Sequence, residues 1–105
     1  MSLKKQYLKS KPVCKVTFKL TKEDALGAKN VNIVGEFNNW STKETPMTRQ
    51  KNGAFSLTLE LEKNRDYQFR YLIDDQLWVN DPAADKYVPS GYAGSDNSVV
   101  VIKKG

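Results

Sequence analysis

Strict two-residue alternation, repeated in three separate stretches, most narrows what this chain can fold into. Residues Val13–Leu20 set Cys14, Val16, Phe18 and Leu20 against Lys15, Thr17 and Lys19. After Lys51-Asn52-Gly53, Phe55, Leu57, Leu59 and Leu61 alternate with Ser56, Thr58 and Glu60. In residues 67–73, Tyr67, Phe69, Tyr71 and Ile73 share one side, leaving Gln68, Arg70 and Leu72 on the other. A period of two is that of a β-strand with one face on a core. Asn-Gly is a hairpin signal.

Further strands are expected at residues 31–37, with Val31, Ile33 and Phe37 facing alike, at Leu77–Val79 and at residues 97–102. Gly35 marks a bulge or a close backbone approach. Residues 62–66 form a polar turn, and Asp81-Pro82 ends the short strand because proline cannot donate to a ladder. Helix signals are thin: Thr21 can cap one turn reaching Asp24, and Gly27 argues against more. Strands at regular spacing, separated by turns, predict an all-β fold, an immunoglobulin-like antiparallel β-sandwich. The 105 residues make one domain: a basic segment at 1–12, the sandwich at 13–102 and a tail at 103–105. Residues 80–96 read as one long irregular loop, and a compact domain seldom keeps such a loop without using it.

Composition removes several kinds of chemistry. No histidine is present, which takes away the commonest general base and metal ligand. Cys14 falls on an apolar strand face, as core filler, and a lone cysteine forms no internal disulfide. Asp74 and Asp75 are adjacent, so they do not straddle a bond as a glycosidase pair must. Asp81 and Asp85 read as turn or capping residues. No metal-ligand spacing or glycine-rich phosphate loop occurs. A non-enzyme with no cofactor and no metal is expected. The net charge of +5, from 17 basic and 12 acidic residues, lies largely at Lys4, Lys5, Lys9, Lys11, Lys103 and Lys104. Nucleic-acid binding would need that charge on a face of the folded body. The N-terminus lacks a signal-length apolar run and no stretch is long enough for a membrane span, so a cytoplasmic setting is expected.

Two tryptophans remain to be explained. Trp40 follows Asn38-Asn39, and Trp78 stands among amides and carboxylates at a strand end. Position leaves two uses open: plugging an end of the sandwich, or standing exposed as flat platforms. An exposed indole covers the C–H face of a pyranose while nearby amides and cations bond its rim hydroxyls.

From about Cys14 to Ile102 the chain resembles carbohydrate-binding module family 48, which includes the glycogen-binding domain of AMP-activated protein kinase β subunits and the early-set N-terminal domains of isoamylases and branching enzymes. The likeness rests on VNIVGEFNNW (residues 31–40), Thr45-Pro46-Met47, NGAFSLTLEL (52–61), YQFRYLIDDQLWVNDPAADKY (67–87) and DNSVVV (96–101). It implies an early-set sandwich that binds α-1,4-linked glucose in glycogen or starch-like chains without catalysis. It carries the family's stacking tryptophans onto Trp40 and Trp78, its outward basic residue onto Arg70, and its hydroxyl-bonding asparagine onto Asn97. The late-loop residue that reaches the glucan falls on Tyr92 or Ala93. Kinase-type members read Asp-Gly-Gln-Trp, whereas Asp74-Asp75-Gln76-Leu77-Trp78 is one residue longer, and strand register decides whether that turns Trp78 away from Trp40. Arg70 in place of lysine keeps charge and changes donor geometry. The alternative in another class is an early-set scaffold that packs on a glycoside hydrolase or regulatory protein without binding sugar.

Overall fold

The computed structural model describes residues 3–91 and 94–103. Among the described residues, nine strands form two antiparallel sheets packed as an immunoglobulin-like sandwich: β1 (Leu3–Tyr7), β2 (Val13–Leu20), β3 (Val31–Gly35), β4 (Thr48–Arg49), β5 (Phe55–Glu62), β6 (Arg65–Ile73), β7 (Leu77–Val79), β8 (Lys86–Pro89) and β9 (Asp96–Ile102). The first sheet runs β1-β2-β5-β4. The second runs β3-β6-β9-β8, with β7 also paired to β6.

The alternating stretches become the strands nearest the core. Val16, Phe18, Phe69, Tyr71, Val100 and Ile102 are buried between the sheets. Phe18 and Phe69 meet edge to face at 5.2 Å, and Phe69 meets Tyr71 at 5.6 Å, geometries that suit the ring quadrupole. Cys14 is fully buried and unpaired, and burial pushes its thiol pKa up. Asn52-Gly53 turns β4 into β5: Gly53 has φ +87°, and Asn52 Oδ1 accepts the Ala54 N–H at 2.9 Å. Thr21 Oγ1 accepts the Asp24 N–H at 3.0 Å, and only turns follow, as the thin helix signals predicted.

Several details differ from the sequence reading. The polar turn expected at residues 62–66 narrows to Lys63-Asn64, because β5 runs to Glu62 and β6 starts at Arg65. β3 stops at Gly35, and Phe37 reaches the core through a 3-10 turn, Glu36–Asn38. Within the N-terminal basic segment, Leu3–Tyr7 pairs along β2 as an edge strand, with Leu3 buried. Residues 80–96 are not wholly irregular, since Lys86–Pro89 forms β8 against β9. Pro89 is tolerated because β8 is a sheet edge, where a missing N–H breaks no inner ladder. The short β4 also had no alternating pattern to announce it. Lys5 Nζ reaches Asp85 Oδ2 at 2.6 Å, linking an edge of one sheet to the approach to β8 in the other.

Candidate functional site

The outer face of the β3-β6-β9 sheet carries the candidate site. Parity along β6 sends Gln68, Arg70 and Leu72 away from the Tyr67/Phe69/Tyr71 core stripe. Register places Val34 opposite Arg70 and Trp78 opposite Leu72. Trp40, Trp78, Arg70 and Asn97 line one open groove of about 710 Å³. Trp40 is 40% exposed and Trp78 is 43% exposed, so each indole is partly anchored and partly free. The rings are neither swallowed by the interior nor sent to opposite ends.

How Trp40 comes to face this groove is local chemistry. Asn39 and Trp40 both adopt left-handed backbone, φ +56° and +59°, a conformation costly for any residue bearing a Cβ. Asn38 holds the chain there. Its buried Oδ1 accepts the Gly35 N–H at 3.1 Å, and its Nδ2 donates to Ile33 O at 3.0 Å and to Thr45 Oγ1 at 2.9 Å. Trp40 N–H closes the turn on Gly35 O at 2.8 Å. Gly35 is extended; what demands glycine is close approach, because a Cβ there would lie 2.6 Å from Gln68 O and 2.7 Å from Phe69 Cβ. The Thr45-Pro46-Met47 segment runs beside β3, with Ile33 N–H on Thr45 O and Met47 N–H on Val31 O.

Trp78 keeps its face despite the longer turn. Ile73 pairs with Leu77, so Asp74, Asp75 and Gln76 form a three-residue loop in which Asp74 and Asp75 are left-handed, φ +49° and +59°. The loop absorbs the extra residue, and the ladder beyond it stays in register. Asp74 Oδ1 accepts the N–H groups of Lys29 and Asn30 at 2.9 and 3.0 Å, pinning this hairpin to the loop before β3.

Between the tryptophans lies a polar relay. Arg70 Nε donates to Asn97 Oδ1 at 2.7 Å, and Asn97 Nδ2 donates to Gln68 Oε1 at 3.0 Å. Asn97 is buried, with each end of its amide engaged once. It therefore orients Arg70 and Gln68 and keeps one acceptor site and one N–H to spare. Arg70 uses one of its five donors in the described hydrogen bonds. Glu36 Oε1 accepts the Gln68 N–H at 2.6 Å, fastening the start of the Trp40 loop to β6.

The sequence reading did not single out Glu36, Thr42, Gln68 or Ser90, which also line the groove. Gln68 was recoverable from parity, standing two residues before Arg70 on the outward face; Glu36 and Thr42 depend on loop geometry that no period announces. Tyr92 and Ala93 lie outside the described residues. Asp81 is a fully buried structural hub: its carboxylate accepts Tyr71 OH at 2.7 Å and the Ala83 N–H at 2.8 Å, and its own N–H bonds Ser98 Oγ. Among the described residues, no group of three or more metal-ligating side chains converges and no helix is long and apolar enough to cross a membrane.

Residues 15–104 match the family described as the glycogen recognition site of AMP-activated protein kinase. Over 78 residues, 74% of this chain, the sequence is 36% identical to 5'-AMP-activated protein kinase subunit beta-1 of Sus scrofa and 37% identical to subunit beta-2 of Homo sapiens. The matched segment spans 58% of the first relative and 26% of the second.

Proposed function

The chain belongs to the family of the glycogen recognition site of AMP-activated protein kinase, and from that premise we propose that it is a non-catalytic module that binds α-1,4-linked glucan such as glycogen. The observation that carries this reading is the pair of part-exposed indoles, Trp40 and Trp78, lining one groove with Arg70 and Asn97. Glucose rings stack on the two indoles. Arg70 and Gln68 donate to rim hydroxyls, and Asn97 holds both and offers its spare N–H. Among the described residues of this groove Glu36 is the one carboxylate, and a backbone N–H already occupies it. Glycoside hydrolysis calls for two carboxyls across the bond.

The expected strength is modest. If each stack removes ~100 Å² of apolar surface from water, two platforms supply about 5 kcal/mol at ~25 cal/mol/Å². Hydroxyl hydrogen bonds add about 1 kcal/mol net apiece, and lost ligand freedom offsets several kcal/mol. A Kd between ~μM and mM for a short chain follows. Such contact suits a domain that concentrates a partner on a polymer of many identical sites. That partner is a regulatory protein, by analogy with relatives whose names make them kinase subunits.

Co-sedimentation with glycogen tests the reading. The wild-type protein pellets with the polymer; Trp40→Ala stays in the supernatant with an unchanged circular dichroism spectrum. Equal recovery of folded wild-type and variant protein with glycogen would remove Trp40 from the site. A folded wild-type protein that never pellets would favour the scaffold alternative.

A further inference from the structure

A second groove, also of about 710 Å³, adjoins the first and shares Thr42 and Trp78 with it. One wall is Asn32, the β3 residue opposite Leu72 and bridged to Pro46. Asn32 is 8% exposed, and its Oδ1 is cut off from solvent with no hydrogen-bond partner, the one described buried side-chain N or O in that condition. A carboxamide can make four hydrogen bonds, and buried polar atoms are almost always satisfied. An unsatisfied amide in the wall of an open groove is therefore a vacant bonding position for a ligand. Rotation about χ2 presents either its oxygen or its nitrogen to the groove.

The rest of the lining has matching chemistry. Leu72 and Trp78 give an apolar floor, while Lys43, Asp75 and Gln76 are exposed and carry donors and acceptors. That mixture suits a neutral, hydroxyl-rich ligand with an apolar ring face. Lys43 and Asp75 offset each other, so the lining has no net charge with which to select an ionic ligand. Because Trp78 borders both grooves, a chain crossing its indole enters the second on leaving the first.

We propose that this second groove is an additional glucose subsite, in which Asn32 and Gln76 bond hydroxyls of an α-glucan chain that runs on past Trp78. This rests on the glucan-binding reading of the first groove. It makes the module selective for chain length, since a short oligosaccharide fills the first groove and only a longer one reaches Asn32.

Calorimetric titration of the whole chain with maltotetraose and maltoheptaose tests it. A heptaose offers about four registers to a four-unit site, so a gain up to about fourfold is statistical, and wild-type protein should exceed it, at about tenfold or one decade in Kd. Asn32→Leu replaces the unsatisfied amide by an apolar group of similar size, and Gln76→Ala trims an exposed rim residue. Both variants should keep maltotetraose affinity within about twofold while the heptaose gain falls to the statistical level, a difference well under a decade from wild type at the short chain. A wild-type gain no greater than statistical, with maltotetraose still bound, overturns the second subsite and leaves the first groove standing. A full tenfold gain retained in Gln76→Ala and in folded Asn32→Leu overturns it as well. Failure of wild-type protein to bind either sugar overturns both readings.

Discussion

Trp40 sits in a backbone conformation that a bulky residue avoids, at a cost of about 1–2 kcal/mol. Such strain persists where neighbouring structure enforces it, and it collects at functional sites. Here the buried Asn38 amide enforces it. Residue type and position were enough to single out Trp40, as an end plug or an exposed platform, and strand parity was enough to turn Arg70 outward. The left-handed turn that aims the indole was not legible, because it arises from a set of contacts spanning three to seven residues that no period announces. Tyr71 shows the same division. Its inward face followed from alternation, yet its hydroxyl bond to Asp81 needed the fold. Burial first, and then the Asp81 charge, pushes the Tyr71 pKa well above its ordinary value; burial raises Tyr67 as well. Below about pH 10 folded and unfolded tyrosines are both protonated. Above it the unfolded chain has lost protons that the folded one keeps, so stability falls as pH rises. Tyr71→Phe should cost about 1–3 kcal/mol at neutral pH by leaving a buried acceptor short of a donor. It should also flatten the loss of stability above about pH 10. Urea unfolding at several pH values measures both, and an unaltered alkaline slope would rule out Tyr71 as a source of it.

At the scale of elements, strands with a long apolar stripe were legible; of the short ones β7 was, because Asp81-Pro82 closes it, while β1, β4 and β8 were not. β2 and β7 run between the residues that alternation and Asp81-Pro82 indicated. β8 and β4 pair mainly through backbone at a sheet edge, and their side chains advertise little. The loop from Gly35 to Thr45 is the element on which the site depends, and Asn38 ties its two ends together. Asn38→Ala leaves the Gly35 N–H and the Ile33 carbonyl without their partner, at about 1–3 kcal/mol for each buried group left unmet. The variant should lose at least about 2 kcal/mol in chemical denaturation. It should also bind maltoheptaose about tenfold more weakly, a decade in Kd, because Trp40 is no longer held. Full glucan affinity in a destabilised variant would mean that the clamp serves stability alone.

At the scale of the whole molecule, the two faces of one sheet divide the work. The inner face of β6 packs the aromatic core, and its outer face meets the groove. The fold class was legible because period two and turn chemistry agree along most of the chain. The joining of Trp40, Trp78, Arg70 and Asn97 was reached through the family resemblance, since three of them lie on different strands and one on a loop. A neutral glucan carries no counterions to release, so on the proposed reading the +5 net charge adds no long-range attraction beyond the local donors of Arg70. Affinity should therefore change less than about twofold between ~50 and ~200 mM salt, where proteins bound to many nucleic-acid phosphates lose decades; a steep salt slope would point to a polyanion instead. The most direct measurement is a titration of the wild-type chain with maltoheptaose, followed by tryptophan fluorescence. The structure predicts a saturable change with a Kd between ~μM and mM, weakened at least about tenfold in Trp40→Ala. A folded wild-type protein whose emission does not respond to ~10 mM sugar, about 5.5 kcal/mol short of a micromolar site, would contradict it.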